Sequence, residues 1–424
     1  MVNPPADPAL HAVSDAAVPS GTAARVTFSH VLAVGEFRVL WAAQLQSLVG
    51  DQLARVAMTV LVYDRTRSPF LTALTYAVTF LPWVIGGVAL SGLADRLPRR
   101  QVMIACDLAR MALVCLMVVV GLARSAVALW VMVALLFAVT LLDSPFKSAR
   151  SALVADVLQG EEYVAGTALT QMTMQSGLVV GFAVGGLVVA ALGARLALAT
   201  DAVTFAVSAA LLALFVQSRP AAAGPAASPA VTWSGMAAGM RMVFGDPTLR
   251  TLVLFGWLVA FYVVPMGLAA PYAASFHGLP LAVGTGLVFA AVPFGTAVGA
   301  FLLSRMVAPE RRRAWMGPLA VGSCAVLMLC WARPGLPASL AIFVAAGVFA
   351  GYQVTANASF VAAVPPHHRG QAFGLANGGM QVLQGLWLVG AGSAASALTP
   401  APAIAISGAV GALIASFLVL QGHR

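Results

Sequence analysis

Charged side chains inside long apolar stretches are the residues of this chain that could do chemistry. Three acids each precede a base by three or four positions: Asp51 and Arg55, Asp107 and Arg110, and Asp143 and Lys147. Residues at these spacings share one face of a helix, so each acid can form an ion pair with its base. A charge at the centre of a bilayer costs roughly 2.5–3.5 kcal/mol on insertion scales, so its presence there points to a functional site.

Reversible proton binding is the chemistry that suits Asp51, Arg55, Asp107 and Arg110 best. Asp51 lies about 14 residues into its apolar run, which is about 21 Å along a helix that rises about 1.5 Å per residue. Its affinity for a proton would change if a movement hydrated it or shifted it relative to an arginine. The alternative is a permanent Asp51–Arg55 ion pair that only fixes helix packing. A further carboxylate, Asp201, lies near one end of another apolar run.

The composition indicates a membrane protein. Hydrophobic residues make up 61% of the 424 residues and charged residues 9%, against about 45–50% and about 25% in soluble domains. A bilayer-spanning helix needs about 20 apolar residues. Twelve runs, numbered here as spans 1 to 12, meet this need: 37–63, 70–91, 101–122, 126–148, 164–191, 195–216, 250–270, 281–306, 314–332, 337–363, 371–396 and 401–420. We therefore predict an all-α integral membrane protein with twelve transmembrane helices in two six-helix, pseudo-symmetric bundles.

The polar segment between spans 6 and 7 divides the chain into two halves of six spans each. We predict a flexible cytoplasmic tail at 1–30, an N-terminal bundle at 31–216, a linker at 217–249 and a C-terminal bundle at 250–424. The linker begins with a run rich in Pro and Ala, and its second part, from Trp233 to Phe244, is expected to form an amphipathic helix on the membrane surface. Two six-span halves are typical of transporters built from repeats.

The distribution of basic residues predicts the orientation. With a cytoplasmic N-terminus, the inside segments hold 16 Lys and Arg and the outside segments hold 5. Because cytoplasmic loops carry an excess of these residues, we expect both termini in the cytoplasm of a bacterial plasma membrane.

The loop between spans 2 and 3 carries the family resemblance. It reads Gly92-Leu-Ala-Asp95-Arg96-Leu-Pro-Arg99-Arg100, which resembles the G-x-x-x-D-R-x-x-R-R loop of the major facilitator superfamily, with a shorter glycine-to-aspartate spacing. The sequences Phe37-Arg-Val-Leu-Trp41 and Tyr63-Asp-Arg-Thr66 are similar to the bacterial drug-efflux and enterobactin-exporter-like branch. The resemblance implies the major facilitator fold and secondary transport.

A cytoplasmic gate is expected at this loop. Asp95 can accept hydrogen bonds from a helix N-terminus of the opposite half, while Arg99 and Arg100 can bind carboxylates or lipid phosphates. Gly92 and Arg96 belong to the same motif, and Asp143 is a candidate to complete the network with Arg96 or Arg99. The alternative is that the arginines only anchor the loop on the cytoplasmic side.

Span 5 holds a glycine motif formed by Gly177, Gly181, Gly185 and Gly186. It resembles the G-x-x-x-G-P-x-x-G-G motif of antiporters in the superfamily, with Phe182 in place of the proline. Glycines four apart let two helices approach closely, so this motif is a candidate for helix packing. The replacement of the proline weakens the indication of antiport.

The C-terminal half lacks charges in the interiors of its spans, and this pattern indicates the substrate. Aromatic and amide side chains there could form a wall for an amphipathic molecule, with a few polar residues facing it from the N-terminal half. The candidates are Gln44, Tyr76, Gln171, Gln175, Trp257, Phe261, Tyr262, Phe289, Tyr352, Gln353, Asn357, Gln384 and Trp387. Each of them could instead serve packing or face lipid.

Other classes of function lack the residues that they need. Lys147 is the only lysine, and no P-loop surrounds it, so we expect no nucleotide. The arginines are scattered, so we expect no nucleic acid. We also expect no cofactor, no metal and no enzymatic centre. The prediction is a monomeric, proton-coupled exporter (an antiporter) of amphipathic compounds or drugs, whose partners are the bilayer, protons and a small substrate. The alternative is a dedicated exporter of an endogenous metabolite such as a siderophore.

Overall fold

The computed structural model describes residues 27–82, 85–86, 97–123, 125–219, 233–365 and 368–422. Within these ranges the chain is helical and contains no strand. Gly92, Asp95 and Arg96 of the expected gate lie outside the described residues.

The helices follow the predicted spans closely. In the N-terminal half the structure has Phe28–Ala33, Gly35–Thr66, Pro69–Ala77, Arg99–Val120, Ala126–Leu141, Asp143–Val157 and Gly160–Phe215. In the linker it has Trp233–Gly245, and the C-terminal half begins with Pro247–Trp257, Val259–Tyr262, Val264–Gly267 and Ala269–Ala273. It continues with Leu281–Met306, Pro309–Ala325, a 3₁₀ turn at Val326–Ala332, Leu336–Ala350, Tyr352–Ala363, Arg369–Leu398 and Pro400–Gly422.

Eight of the described segments are long and apolar enough to cross a membrane. Spans 5 and 6 count once among them because they form the two arms of Gly160–Phe215. Spans 1, 2 and 11 are not among the eight; span 1 carries charges, span 2 runs into residues outside the described ranges, and span 11 carries amides. The eight segments correspond to nine spans, and together with span 1, span 11 and the described part of span 2 they give twelve transmembrane spans in two six-helix bundles.

Span 4 is longer than its sequence predicted. The predicted span ends at residue 148, whereas the helix Asp143–Val157 continues to residue 157. The helix persists because Phe146, Ala149, Leu153 and Val154 are buried in the N-terminal bundle. Residues up to Val157 therefore lie on a packed helix and not in a loop.

The two halves share an unusual backbone feature that reflects their pseudo-symmetry. Gly193 joins spans 5 and 6 with φ 81° and ψ 160°. Thr399 joins spans 11 and 12 with φ 92° and ψ 159°. The same reversal of direction is therefore built twice, once with glycine and once with threonine.

Span 7 is broken into four short helices, and side chains of span 10 bind the carbonyls freed at the first break. The Tyr352 hydroxyl donates to the Phe255 carbonyl at 2.8 Å, and Gln353 Nε2 donates to the Gly256 carbonyl at 3.1 Å. Irregular backbone at membrane depth is tolerated where such partners exist.

We call the side of the molecule that carries the linker the linker face, and the other side the opposite face. Contacts between the bundles lie toward the opposite face. Tyr76 of span 2 packs edge-on against Phe289 of span 8, with ring centroids 5.4 Å apart, and the Phe70 backbone N–H donates to Ser396 Oγ at 3.2 Å. Toward the linker face, Gln171 and Gln175 of span 5 are exposed.

The linker contacts both bundles. Its helix Trp233–Gly245 lies against the C-terminal bundle, where Val243 is buried and Phe244 packs edge-on against Trp257. At its beginning, Arg219 forms a bidentate ion pair with Glu36, at 2.7 and 2.8 Å. The start of the helix Gly35–Thr66, just before span 1, is thereby tied to the end of span 6.

Candidate functional site

Four spans of the N-terminal bundle bring charged side chains to one small cavity. Its volume is about 40 Å³. The charged residues that line it are Asp51 and Arg55 of span 1, Arg110 of span 3, Asp143 of span 4 and Asp201 of span 6. Thr79 and Thr140 add hydroxyl groups to the lining. We call these five charged residues, with Asp107 and Lys147, the charged cluster.

Arg110 is the centre of the charged cluster. Its Nη2 atom lies 3.3 Å from Asp143 Oδ1, and its Nη1 atom lies 3.9 Å from Asp107 Oδ1. The guanidinium carbon also lies 4.5 Å from the ring centroid of Phe146 and 5.3 Å from that of Phe205. Since its side chain is only 2% exposed, two carboxylates and two aromatic faces replace its hydration.

Asp107 is fully buried and incompletely paired. Ser208 Oγ donates to its Oδ2 atom at 2.6 Å, whereas Oδ1 has no hydrogen-bond partner. The Nε atom of Arg110 is likewise buried without a hydrogen-bond partner. Buried polar atoms without partners are rare, and each requires an explanation such as strain or a catalytic role.

Asp143 bridges two cations, and its partners differ from those expected. Besides Arg110, its Oδ2 atom accepts from Lys147 Nζ at 2.6 Å. Arg99, which the sequence suggested as a partner, instead forms an ion pair with Asp156. The reason is that span 4 continues as a helix to Val157, which carries Asp156 to the beginning of span 3 and leaves Asp143 deeper in the bundle.

Asp51 does not pair with Arg55. Both residues line the cavity, but no ion pair joins them among the described residues. A permanent Asp51–Arg55 bond is therefore absent from this structure. The Asp51 carboxylate faces the cavity, and none of the described cations is in direct contact with it.

Asp201 is the member that the sequence left outside the candidate site. It is 2% exposed, and its Oδ1 atom lies 3.4 Å from Thr204 Oγ1, with no cation in direct contact among the described residues. A Cβ added at Gly50 would come within 2.5 Å of Asp201 Oδ1, so glycine makes room for this carboxylate beside Asp51. The sequence did show Asp201 as an acid within an apolar run. It could not show that Asp201 lies at the same depth as Asp51, because that depends on how spans 1 and 6 pack.

The expected gate arginines bind within the N-terminal bundle. Arg100 donates through Nε to the Leu212 carbonyl at 3.2 Å and also binds the Ala213 carbonyl, at the end of span 6. Together with the Arg99–Asp156 pair, this ties the start of span 3 to spans 4 and 6. A latch that reaches the other half stays a prediction, since Gly92, Asp95 and Arg96 are not described.

The glycine motif of span 5 lies on span 1. A Cβ at Gly177 would contact the Leu48 side chain, one at Gly181 would lie 2.9 Å from Gln52 Cγ, and one at Gly185 would lie 3.3 Å from the Leu53 Cα atom. Phe182, which stands where the related motif has proline, is fully buried and stacks on Phe289 of span 8, with ring centroids 4.7 Å apart. Span 5 therefore packs against span 1 and also against the other bundle.

Several candidates for the substrate wall use their polar groups inside the C-terminal bundle. Besides Tyr352 and Gln353, Trp257 Nε1 donates to the Ala376 carbonyl at 2.9 Å, and Trp387 Nε1 donates to Ser407 Oγ at 2.7 Å. The side chains of Phe261, Tyr262 and Gln384 are buried. Their contacts stabilise the bundle, and the sequence could not distinguish this role from substrate binding.

The remaining candidates lie elsewhere. Tyr76 and Phe289 are buried at the contact between the bundles. Gln44 and Gln171 line a second cavity in the N-terminal bundle, while Gln175 and Asn357 are exposed. The structure thus gathers the proton-coupling candidates and Asp143 at one place, and it distributes the uncharged candidates over several.

Comparison with known proteins identifies relatives of this chain. The sequence profile of the Major Facilitator Superfamily matches residues 40–285, more than half of the chain. The chain is 26% identical over 300 residues to an enterobactin exporter, EntS, of Citrobacter koseri, covering 68% of this chain and 67% of that protein. It is 30% identical over 73 residues to macrolide efflux protein A of Streptococcus pyogenes, which is 17% of this chain and only 18% of the length of that relative.

Solved structures share the fold. The nucleoside transporter NupG superimposes with a TM-score of 0.71 at 12% identity, over 92% of this chain and 99% of that one. An inward-facing bacterial homologue of the human lysosomal transporter Spinster superimposes with a TM-score of 0.66 at 17% identity, over 93% and 96% of the two chains. At such low identity these likenesses concern the fold alone.

Proposed function

The chain belongs to the major facilitator superfamily and is a multi-pass membrane transporter, and we propose that it is a proton-coupled exporter of amphipathic compounds that works by alternating access. The observation that carries the proposal is the imbalance of the charged cluster. Four carboxylates (Asp51, Asp107, Asp143 and Asp201) accompany three cations (Arg55, Arg110 and Lys147) inside an apolar bundle. One bound proton would make the cluster neutral.

The cluster also has the means to change its proton affinity. Arg110 lies 3.3 Å from Asp143 of span 4 and 3.9 Å from Asp107 of its own span, so a small movement of span 3 against span 4 would separate it from Asp143 and leave Asp107 as its partner. Asp51 and Asp201 line the cavity, and no described cation is in direct contact with either, so water that enters on one side would bring or remove a proton. Opposite charges in contact favour the ionised form, and burial favours the neutral form.

The state described here supports alternating access. The bundles touch toward the opposite face, while residues of span 5 toward the linker face are exposed. With both termini in the cytoplasm, as the basic residues indicate, this state opens inward. Export would follow when the contacts between the bundles open, and an inward proton current would supply the energy. The electrical part of that energy is about 2.3 kcal/mol per charge for every 100 mV.

The substrate class follows from the chain itself and from its relatives. The interiors of the C-terminal spans carry no charge, which favours an amphipathic molecule. One relative is a macrolide efflux protein and another an enterobactin exporter, so drug efflux and export of one endogenous metabolite such as a siderophore are the two candidates. Because the match to the enterobactin exporter is the longer one, export of an endogenous metabolite stays a candidate function together with drug efflux.

The test is transport by the purified protein in vesicles. A pH-sensitive dye inside the vesicles should report proton movement when a concentration gradient of a macrolide or of enterobactin is applied across the membrane. Asp51→Asn should abolish uphill accumulation and spare downhill exchange of the same compound. Asp64→Asn is the matched control, because Asp64 is an exposed acid of the same span, 3.4 Å from Arg67. Normal uphill pumping by Asp51→Asn, with unchanged proton dependence, would contradict the coupling role.

A further inference from the structure

Arg150 is a buried cation that has no counter-ion within the described ranges of the chain. It lies on span 4, two turns of helix beyond Asp143, and is 7% exposed. Its Nε and Nη2 atoms have no hydrogen-bond partner, and no ion pair reaches it among the described residues. An unpaired charge at such a position is strongly unfavourable, so a partner from outside the chain is expected to neutralise it.

Arg150 lines a cavity of about 240 Å³ between spans 1, 4 and 5, near the linker face. This cavity is separate in its lining from the one at the charged cluster. Lys147 lies in its wall as well, together with the polar side chains of Gln44, Tyr163, Thr170 and Gln171. No acid is among the residues that line it. The cavity is therefore positive and able to donate hydrogen bonds.

A second buried group in the wall also lacks a partner. The Oγ1 atom of Thr170 on span 5 makes no hydrogen bond. Three acids on the helices that carry Arg150 and Thr170 are paired with other cations: Asp143 with Arg110 and Lys147, Asp156 with Arg99, and Glu162 with His30. Two unpartnered donors on different spans thus face one cavity, and none of the described carboxylates of the bundle forms an ion pair with Arg150.

We propose that this cavity binds an oxyanion, a carboxylate or a phosphate, which Arg150 holds by its guanidinium and Thr170 by its hydroxyl. Guanidinium and carboxylate or phosphate form the strongest and most directional charged hydrogen bonds in proteins. The volume accommodates an anionic head group, and the rest of an amphipathic molecule would extend toward the linker face. The proposal rests on the transport function above and specifies it: the exported molecule carries an acidic group.

Two sources could supply such an anion, the transported molecule or the head group of an anionic lipid. Both use the same chemistry at Arg150. A water-soluble anion would bind in a bilayer of any composition. A lipid would compete with it only where anionic lipid is present.

The test compares two fluorescent probes that differ only in charge, dansyl-glycine and its neutral amide, dansyl-glycinamide. Binding is titrated with the purified protein in phosphatidylcholine nanodiscs, without any gradient, so the result does not depend on proton coupling. The wild type should bind dansyl-glycine at least about tenfold more tightly than the amide. Arg150→Gln should remove this preference, Arg150→Lys should keep most of it, and Arg250→Gln, which alters an exposed arginine of the C-terminal bundle, should leave it unchanged.

The outcomes decide the proposal in each case. Equal binding of the two probes by the wild type, or an unchanged preference in Arg150→Gln, overturns it. If Arg150→Gln does not fold, Thr170→Val should weaken dansyl-glycine alone, and a Thr170→Val protein that binds both probes like the wild type overturns the proposal as well. Persistence of dansyl-glycine binding when phosphatidylglycerol is added identifies the occupant as a soluble anion and supports the proposal in full. Loss of that binding identifies the occupant as lipid, which supports the oxyanion site and overturns the inference that the exported molecule carries an acidic group.

Discussion

Gly186 of span 5 and Gly286 of span 8 cross with their backbones in contact. A Cβ at Gly186 would lie 3.0 Å from the Gly286 Cα atom, and a Cβ at Gly286 would lie 2.8 Å from the Gly186 Cα atom. The pseudo-symmetric contact is made by spans 11 and 2, where a Cβ at Gly392 would lie 2.6 Å from Ala73 Cβ. Small residues thus allow the two bundles to meet near the opposite face.

Gly286→Val should prevent this contact and shift the protein away from the state described here. The new side chain would clash with backbone atoms of span 5, which cannot move aside as a flexible side chain can. Spin labels at Ser125 and Arg333, in opposite-face loops of the two bundles, should move apart. Gly390→Val is the control, because a Cβ at Gly390 meets nothing within 4 Å. An unchanged distance distribution in Gly286→Val would show that the crossing does not hold the bundles together.

Thr399→Gly should stabilise the protein. With φ 92° and ψ 159°, Thr399 occupies a region of backbone conformation that is essentially restricted to glycine. Relief of that strain should raise the stability by about 1–3 kcal/mol. The measurement is the thermal unfolding midpoint of the protein in detergent. Gly193→Thr provides the converse test: a Cβ at Gly193 meets nothing within 4 Å, so any loss of stability there comes from the backbone alone.

The ion pair between Glu36 and Arg219 should make stability depend on pH in the acid range. Glu36 precedes the apolar part of span 1, and the hydrogen bond from Arg219 lowers its pKa below the usual 4.5. Because the pKa of Glu36 is lower in the folded protein than in the unfolded chain, its ionisation stabilises the fold at any pH above the unfolded-state pKa. This contribution disappears as the pH falls through the folded-state pKa. Glu36→Gln should therefore lower the unfolding midpoint at pH 7 and have little effect near pH 3. If Glu36→Gln lowered the unfolding midpoint equally at pH 7 and near pH 3, the charge of Glu36 would have no role in stability.

Asp95→Asn tests the gate that the sequence predicts. If Asp95 binds a helix N-terminus of the other half in the outward-open state, loss of its charge should cut transport strongly and leave the protein folded. Folding is checked by size-exclusion chromatography and by the unfolding midpoint. Transport at the wild-type rate in vesicles would show that the latch is not needed for the cycle.

The sequence alone determined the architecture, because its evidence is local. Twelve apolar runs of sufficient length, a Pro- and Ala-rich linker after the sixth run, and Asp-Arg-x-x-Arg-Arg after the second can be read without knowing which helices touch. The acids and bases of the charged cluster could be identified for the same reason, since a charge in an apolar run is conspicuous wherever the run is placed.

Only the tertiary structure decided how these residues are paired. Contacts within one helix at three or four positions were predictable only in part: Lys147 binds Asp143, whereas Asp51 and Arg55, at the same spacing, form no ion pair. Contacts between helices depend on how far each span slides and rotates against its neighbours. Packing therefore decided that Arg110 binds Asp143, that Asp201 comes beside Asp51 at Gly50, and that Tyr352 and Gln353 bind the backbone of span 7. It likewise left Arg150 buried without a counter-ion in the part of the chain that the structure describes, because burial and pairing are properties of three helices together.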